Sequence, residues 1–329
     1  MSKPAVFVSR EIPQSGLDLL RRHCDVSVWP HDRPATRDEL IANCKGKDAL
    51  VCLLTDKVDA EVLAAAPSLK IVANVAVGFD NLDVAAGTAA RVVMSNTPGV
   101  LDDTTADLAF ALLMATARRL VEGDRLVRSG GWRGWGIMQL LGRDVHHAKL
   151  GIVGFGRIGR GLARRARGFD MSVSYHDAIR APADVERELG VTFVPFDQLL
   201  RESDFVSLHV PLMPETHHLI DAAALRTMKK SAVLINTSRG PVIDEAALVE
   251  ALRTGVIAGA GLDVYEHEPK IADGLAALPN AVLLPHIGSA SIATRNKMAE
   301  IAAENVIAFF QGKMPPTALN PDVFKASRA

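Results

Sequence analysis

"LGIVGFGRIGRGLARRARGFDMSVSYHD" (residues 150–177) combines an apolar strand, a glycine-rich turn, a helix and a second strand. Gly154, Gly156 and Gly159 form the pattern G-x-G-x-x-G directly after the first strand. Asp177 closes the second strand, 18 residues after Gly159 (177 − 159 = 18). This order and spacing are typical of a βαβ unit that binds a dinucleotide, and the alternative is a glycine-rich turn in an ordinary βα unit.

The glycine-rich turn has a physical reason for each of its glycines. Gly154 permits the tight turn, Gly156 lets a pyrophosphate approach the backbone, and Gly159 lets the helix pack closely on the strand. The helix begins with Arg157 and Ile158, and its first turn offers amide donors and a positive dipole to phosphates. We therefore predict that this turn and the start of the helix bind the phosphates of the cofactor.

The acid at the end of the second strand bears on the choice between NAD and NADP. Asp177 can accept hydrogen bonds from an adenosine ribose, and its charge would repel a 2′-phosphate, which favours NAD. His176 and Arg180 flank the acid, however, and could hold a phosphate if Asp177 turned away. NADP therefore stays possible.

Outside this stretch, short runs of Val, Ile and Leu alternate with helix-like segments along most of the chain. Such near-continuous apolar runs are typical of strands buried on both faces of a parallel sheet, and the alternation predicts a doubly wound α/β fold. About 100 residues of separate βα pattern precede the glycine-rich turn, so we expect a first α/β domain there. The pattern also predicts one long helix over 102–130, another over about 291–310, and a loosely ordered tail from residue 315.

Size and composition narrow the class of protein. A chain of 329 residues suggests two domains, and a net charge of −1 without a basic run gives no electrostatic argument for binding nucleic acid or an acidic membrane. Three cysteines, an odd number with no CxxC pair, indicate free thiols in a reducing compartment. With no signal peptide and no apolar stretch longer than ten residues, we expect a cytoplasmic protein that does not span a membrane.

Three predicted strands after the glycine-rich turn end next to groups suited to carbonyl chemistry. Arg239 follows the strand in "AVLINTSRG" (232–240), and a guanidinium can bind a carboxylate through two parallel hydrogen bonds. His286 follows the strand in "AVLLPHIGSAS", where an imidazole can donate a proton near neutral pH. Glu268, near the end of "AGAGLDVYEHEP", could stabilise the imidazolium. Each residue alone has a more ordinary interpretation as a surface or structural residue. Because the carboxyl ends of parallel strands share one edge, the three together indicate a site.

The remaining histidines differ from His286 in their surroundings. His209 ends a strand with Pro211 behind it, so we expect it to line the cofactor crevice. Spacing typical of metal ligands is absent from the His, Cys and Asp residues, so we predict no metal. The other histidines occur in polar surroundings and are predicted to lie on the surface: His23, His31, His146, His147, His217, His218 and His267.

Several blocks of the chain, taken in order, resemble the D-isomer-specific 2-hydroxyacid dehydrogenases. These blocks are "GIVGFGRIG", "LHVPLMPETHHLI", "INTSRGPVIDEAALVEAL", "GLDVYEHEP" and "LLPHIGSAS". Further blocks, including "VANVAVGFDNLD" and "NTPGVLDDTTADLAFALLMATAR", are most similar to the glyoxylate/hydroxypyruvate reductase branch. The resemblance covers nearly the whole chain, and the combination is far more specific than any one block.

The resemblance implies roles for residues that match the family's motifs. It assigns the substrate carboxylate and carbonyl to Arg239, the catalytic histidine to His286 and its paired carboxylate to Glu268. It also implies substrate contacts from Leu54 and from the backbone at Val77 and Gly78. A tryptophan of this branch can reach the neighbouring subunit's site, which makes Trp135 a candidate with Met138 nearby. The implied cofactor contacts beyond the turn and Asp177 are Thr105, His209, Val210, Pro211, Thr216, Thr237, Ser238, Asp263 (near the carboxamide) and Gly288.

The family fold implies two doubly wound parallel-sheet domains. One is a Rossmann nucleotide domain over about 99–287, and the other is a discontinuous, flavodoxin-like substrate domain over 1–98 and 288–329. The family is usually a homodimer through the nucleotide domain. Many glyoxylate reductases of this branch carry an arginine-rich stretch after the second strand and use NADPH. This chain has "YHDAIRAP" instead, so we expect NADH.

The predicted activity is the reduction of a small 2-oxo acid, glyoxylate or hydroxypyruvate, to the D-2-hydroxy acid. A 2-ketogluconate reductase is the first alternative, because a wider pocket needs few changes. Phosphite and formate oxidation are weaker alternatives, the latter because formate enzymes pair the histidine with glutamine. An NADH-sensing co-repressor that binds protein peptides is the alternative from another class.

Overall fold

A computed structural model describes residues 3–326. The chain forms two compact units, of which the first runs to Leu101 and resumes at Ser289. The second unit comprises Asp102–Gly288. The first boundary lies three residues after the expected residue 98 (101 − 98 = 3). The second lies one residue after the expected residue 287 (288 − 287 = 1). The chain thus leaves the first unit once and returns to it once.

The helices and strands alternate along both units. The strands are β1 (Ala5–Val8), β2 (Asp25–Val28), β3 (Ala49–Cys52), β4 (Ile71–Asn74), β5 (Val93–Ser95), β6 (Lys149–Val153), β7 (Ser172–His176), β8 (Val191–Phe193), β9 (Phe205–Leu208), β10 (Val233–Asn236), β11 (Gly259–Leu262) and β12 (Ala281–Leu283). The α-helices are α1 (Gln14–His23), α2 (Arg37–Cys44), α3 (Ala60–Ala65), α4 (Val84–Ala89), α5 (Asp102–Ala117), α6 (Leu120–Arg128), α7 (Arg157–Arg167), α8 (Ala183–Leu189), α9 (Phe196–Glu202), α10 (Ala222–Thr227), α11 (Glu245–Thr254), α12 (Ile292–Phe310) and α13 (Pro321–Ala326).

Each unit is built on one parallel sheet. The first sheet has five strands in the order β2-β1-β3-β4-β5, which is the flavodoxin-like order. The second has seven strands in the order β12-β11-β10-β9-β6-β7-β8. From β8 to β11 this is the Rossmann order, with one further strand added at the β12 edge. The prediction of two doubly wound parallel-sheet domains is confirmed.

Apolar side chains on both faces hold the second sheet between its helices. Leu150 and Ile152 of β6, Tyr175 of β7 and Leu234 of β10 are fully buried, as expected for strands covered on both sides. The strands that follow β6 are first added on one side of it (β7 and β8) and then, from β9 onward, on its other side. Loops that follow β6 and β9 therefore diverge and leave a crevice at the carboxyl edge of the sheet.

The prediction of one continuous helix over 102–130 is wrong. The structure has two helices, α5 and α6, separated at Arg119, which takes a left-handed backbone conformation with φ of 52°. The carbonyl at the end of α5, on Ala117, accepts a hydrogen bond from the amide of Arg143 at 2.8 Å. A tertiary contact thus ends α5, and the local sequence pattern does not contain that information.

The predicted loose tail is also wrong over its described part. The Leu319 amide donates to the Met94 carbonyl at 2.7 Å, and α13 follows with Val323 and Phe324 buried. Residues 327–329 lie outside the described residues. The short pair α8 and β8 is likewise not predicted by the sequence pattern, because lengths of seven and three residues give little periodicity. Within residues 3–326, no helix combines the length and apolar character that crossing a membrane requires.

Candidate active site

The glycine-rich turn after β6 has the geometry that its sequence pattern predicts. Gly154 has a φ of 91°, and a Cβ there would lie 2.6 Å from the carbonyl carbon of His209. A Cβ on Gly159 would lie 2.3 Å from the Gly154 oxygen. At Gly156, by contrast, the Cβ position has no described heavy atom within 4 Å apart from those of Gly156 and its two chain neighbours. The turn is therefore packed on two sides and open at Gly156, where α7 begins with Arg157 and Ile158.

Asp177 is fixed beside this turn. One of its carboxylate oxygens accepts from the Phe155 amide at 2.6 Å, and the other accepts from the Ile179 amide at 3.3 Å. The Arg180 guanidinium donates two hydrogen bonds to the Glu186 carboxylate, each with a nitrogen–oxygen distance of 2.9 Å. The His176 Nδ1 lies 3.1 Å from the Val194 carbonyl oxygen. Both side chains that flank Asp177 and were candidates to hold a 2′-phosphate are thus engaged within the protein.

Three neighbouring strands end in buried polar atoms that lack a hydrogen-bond partner of normal geometry among the described residues. These atoms are Nδ1 of His209 after β9, Oγ1 of Thr237 after β10 and Oδ2 of Asp263 after β11. Buried polar groups in proteins are almost always satisfied, and orphaned ones call for a binding partner. Their place on one sheet edge beside the glycine-rich turn fits the polar groups of a dinucleotide cofactor.

Contacts around these atoms shape the rest of the expected cofactor site. Burial lowers the pKa of His209 to about 4, so its ring is neutral, and its Nε2 lies 2.9 Å from the Ser207 hydroxyl. A Cβ at Gly288 would lie 3.3 Å from Asp263 Oδ2 and 3.4 Å from Thr105 Cγ2, which brings these three predicted residues together.

Val210, Pro211 and Thr216 form the loop after β9. A Cβ at Gly154 would lie 2.7 Å from the Val210 amide nitrogen, so this loop meets the glycine-rich turn. Thr216 donates from its hydroxyl to the Pro211 carbonyl at 2.6 Å and accepts from the Met213 amide at 2.8 Å. The Thr216 hydroxyl therefore has a demonstrated role in shaping the loop.

Arg239 extends from a tightly built turn after β10. The buried Asn236 side chain donates to the Arg239 carbonyl at 2.9 Å and accepts from the amide and hydroxyl of Ser238 at 3.0 and 2.8 Å. Gly240 packs so closely that a Cβ there would lie 1.8 Å from the Tyr265 backbone. The turn thus requires glycine at this position, and Asn236 fixes the backbone that carries the guanidinium.

Glu268 and His286 form a direct pair, as expected from the resemblance. His286 Nδ1 lies 2.9 Å from one Glu268 oxygen, and the other oxygen accepts from the Tyr265 amide at 3.0 Å. Burial by itself would raise the pKa of Glu268. The hydrogen bond and charge of His286, the Tyr265 amide and the charge of Arg239 outweigh burial, so the pKa lies below its usual value. Arg239 is therefore close enough to act electrostatically on this pair.

The histidine is held in an unusual backbone conformation. His286 has a φ of 54°, in the left-handed region that non-glycine residues rarely adopt, and such residues cluster at functional sites. Asp263 accepts from the next amide, that of Ile287, at 2.8 Å. Burial raises the pKa of Asp263. With about a quarter of its side chain exposed (27 %), His286 can meet a ligand directly.

Four predicted site residues belong to other segments of the chain. Leu54, Val77 and Gly78 belong to the first unit, on the loops after β3 and β4, and their substrate contacts stay a prediction. The carbonyls of Val77 and Gly78 accept hydrogen bonds from Asn96 and Asn74, which fixes their peptide planes. Trp135 lies between α6 and β6 with 80 % of its surface exposed.

The surface prediction for one histidine is wrong. His218 is half-buried, and its Nε2 lies 2.8 Å from the Glu266 carboxylate. Together with His217, these residues form a cluster of potential metal ligands. The partners are 48 residues apart in the chain, so local spacing gave no sign of it. Asn236 was also missed, although a polar residue at the end of an apolar strand was a usable signal.

The class of protein that this site defines is the nicotinamide-dependent dehydrogenases. Such a site combines a doubly wound sheet and a glycine-rich turn with an arginine, a glutamate and a histidine at one sheet edge. The family model described as "D-isomer specific 2-hydroxyacid dehydrogenase, NAD binding domain" matches residues 110–288. The chain belongs to this family, and it is an NAD(P)-dependent dehydrogenase whose substrate is a small molecule.

Similar proteins extend this result over the whole length of the chain. The glyoxylate reductase of Korarchaeum cryptofilum is 55 % identical over 325 residues, which are 98 % of each chain. The glyoxylate reductase of Thermococcus onnurineus is 50 % identical over 99 % of this chain and 98 % of its own. An NADPH-dependent glyoxylate/hydroxypyruvate reductase from Sinorhizobium meliloti, solved with NADP and malonate, is 34 % identical with a TM-score of 0.85 and covers 97 % of each chain.

Proposed function

We propose that this protein reduces glyoxylate or hydroxypyruvate to the D-2-hydroxy acid with NADH. The observation that carries the proposal is the Glu268–His286 pair at the same sheet edge as Arg239 and the glycine-rich turn. Relatives at about half identity over nearly the full length, named glyoxylate reductases, support the choice of substrate.

The residues of the site divide the chemistry among them. The reduced nicotinamide, when bound, supplies a hydride to the carbonyl carbon of the oxo acid. Arg239 binds the substrate carboxylate through charge-assisted hydrogen bonds and polarises the carbonyl. His286 donates its proton to the carbonyl oxygen as negative charge develops there. Glu268 keeps the imidazole oriented and stabilises its protonated form.

The surroundings of Asp177 support NADH as the preferred cofactor. Its carboxylate is held beside the glycine-rich turn, where its charge disfavours a 2′-phosphate. Glu186 engages Arg180, the flanking cation best suited to bind such a phosphate. Hydrogen bonds from Arg180 and from the Tyr175 hydroxyl lower the pKa of Glu186 to about 2, so this carboxylate stays charged at neutral pH.

A homodimer is part of the proposal. Large apolar side chains are exposed along residues 120–141 of the second unit, and exposed apolar surface is typical of an interaction site. A second copy of the chain is the partner that the family resemblance implies. The exposed residues are Leu120, Val127, Trp132, Trp135, Ile137, Met138 and Leu141.

The cysteines support a proposal for the cellular location. Cys24, Cys44 and Cys52 are all buried free thiols. Three unpaired cysteines fit a reducing compartment, and we propose the cytoplasm.

Initial rates test the function directly. We expect NADH to support fast reduction of glyoxylate and hydroxypyruvate, and slower reduction of pyruvate and 2-ketogluconate. Arg239→Ala should raise KM for the oxo acid and lower kcat, together reducing kcat/KM by roughly 100-fold or more, because a charge-assisted contact in the transition state is lost. Binding of NADH, measured by fluorescence, should stay near that of the wild type.

Two results would contradict the proposal. One is normal oxo acid kinetics in Arg239→Ala, which would remove the anion-binding role. The other is 2-ketogluconate as the best substrate, which would favour the wider-pocket alternative. Arg253→Ala is the control, because Arg253 forms an exposed pair with Glu250 on α11 and should leave the kinetics unchanged.

A further inference from the structure

Outside the catalytic set, the side chains of His217, His218 and Glu266 form a cluster on the second unit, here called the two-histidine cluster. One ligand atom from each residue lies within 4.8 Å of the others. The rings of His217 and His218 are stacked with centroids 4.1 Å apart and planes 29° apart. His218 Nε2 lies 2.8 Å from a Glu266 oxygen.

The backbone fixes two of the three groups in place. The second Glu266 oxygen accepts from the Glu245 amide at 3.3 Å, and the Glu266 amide donates to the buried Glu245 carboxylate at 2.8 Å. The His218 amide donates to the Pro241 carbonyl at 2.8 Å. His218 also has a φ of 50°, a left-handed conformation that is unusual for a non-glycine residue. Glu266 and His218 are therefore positioned before any ligand arrives.

Two imidazoles and one carboxylate are a donor set that suits Zn²⁺ and other late first-row divalent ions. Three protein ligands leave a fourth tetrahedral position for water. The stacked rings must change their relative tilt for both nitrogens to point at one ion. This movement is available to His217, whose side chain is exposed.

A second pair of adjacent histidines shows what distinguishes this cluster. His146 and His147 are also neighbours, but their rings lie edge to face with centroids 5.3 Å apart. Among the described residues, no carboxylate joins that pair in a group of potential metal ligands. The two-histidine cluster differs in having the carboxylate, and that carboxylate is held in place by the backbone of α11.

We propose that the two-histidine cluster binds one divalent transition-metal ion, with Zn²⁺ the best match. The ion would join the loop after β9 to the loop after β11. Because His218 is hydrogen-bonded to Pro241, it would also brace the turn that carries Arg239. The proposed role is therefore structural support beside the active site, separate from hydride transfer.

The test uses the full chain after treatment with a chelator. We expect isothermal titration with Zn²⁺ to show one saturable site, and titration with Co²⁺ to give the visible absorption bands of a low-symmetry site with nitrogen ligands. His217→Gln should weaken Zn²⁺ binding by about tenfold or more, since one of three ligands is lost. His146→Gln should bind Zn²⁺ like the wild type.

The melting temperature provides a second readout that does not depend on enzyme activity. Zn²⁺ should raise it in the wild type and in His146→Gln but not in His217→Gln. Equal Zn²⁺ binding by the wild type and His217→Gln, or no saturable binding by the wild type, would overturn the proposal. Because His217 is exposed, its replacement should leave the fold intact, and Glu266→Gln provides a second variant with the same expected loss.

Discussion

At the scale of single residues, the active site depends on how Glu268 is held. One oxygen meets His286 and the other accepts from a backbone amide, so the carboxylate has one orientation toward the imidazole. A carboxylate with a lowered pKa stays charged through the neutral range and favours the protonated ring. The pair therefore keeps a negative charge against the imidazole across the neutral pH range.

Replacing Glu268 tests this role through the pH dependence of the reaction. Glu268→Gln removes the negative charge that faces the imidazole and that, in the proposed mechanism, supports its role as proton donor. We expect the rate of oxo acid reduction to begin falling at a pH about one unit lower than in the wild type. The measurement is kcat/KM for glyoxylate from pH 5 to 10. An unchanged pH profile with reduced activity would indicate a purely structural role for Glu268.

Cofactor preference is also decided by a few side chains. Glu186→Gln leaves the Arg180 guanidinium without its ionic partner beside the predicted ribose site. We expect the ratio of kcat/KM for NADPH to that for NADH to rise by about tenfold, the size of one charge-assisted hydrogen bond. Glu250→Gln is the matched control, because it breaks a similar pair with Arg253 on α11. If both variants keep the wild-type ratio, Glu186 does not influence the choice of cofactor.

At the scale of elements, the end of the chain protects an edge of the first sheet. β5 is an edge strand, and an uncovered edge presents unpaired backbone groups. Ala318 pairs with Ser95, and the Asn320 side chain accepts from the Met94 amide at 2.8 Å and donates to the Val92 carbonyl at 3.0 Å. The segment after α12 therefore completes this sheet edge.

Asn320→Ala should destabilise the first unit by roughly 2–3 kcal/mol, because it leaves a buried amide and a buried carbonyl without partners. Chemical denaturation followed by circular dichroism measures the change. The control is Asn43→Ala, which removes one side-chain hydrogen bond to Glu39 within α2 and should cost no more than about 0.5 kcal/mol. Equal stability of Asn320→Ala and the wild type would mean that the edge is covered in some other way.

At the scale of the whole molecule, the exposed apolar residues between 120 and 141 predict assembly. Sedimentation should give one species of twice the 35.2 kDa chain mass. Ile137→Asp places a charge on this surface and should shift the protein toward monomer. Met314→Asp changes an exposed apolar residue of the first unit and should not. A wild-type protein that sediments as a monomer at micromolar concentration would remove the homodimer from the proposal.

Local patterns in the amino-acid sequence are enough to predict the α/β class, the position of the glycine-rich turn and the candidate trio Arg239, Glu268 and His286. These features follow from local patterns: continuous apolar runs define parallel strands, and parallel strands bring their carboxyl ends to one edge. Gly154, Gly156 and Gly159 could be interpreted one at a time, because each answers a steric requirement of a short segment.

Long-range packing sets the end of α5, the cover of β5 by the C-terminal segment and the pairing of His218 with Glu266. The partners in these contacts are far apart in the chain: 48 residues for His218 and Glu266, and 226 for Met94 and Asn320. Their hydrogen bonds depend on how separate elements pack, and no local periodicity or spacing records them. The pair of Arg180 with Glu186 spans only six residues, but the choice of this partner among several nearby acids also depends on the folded backbone.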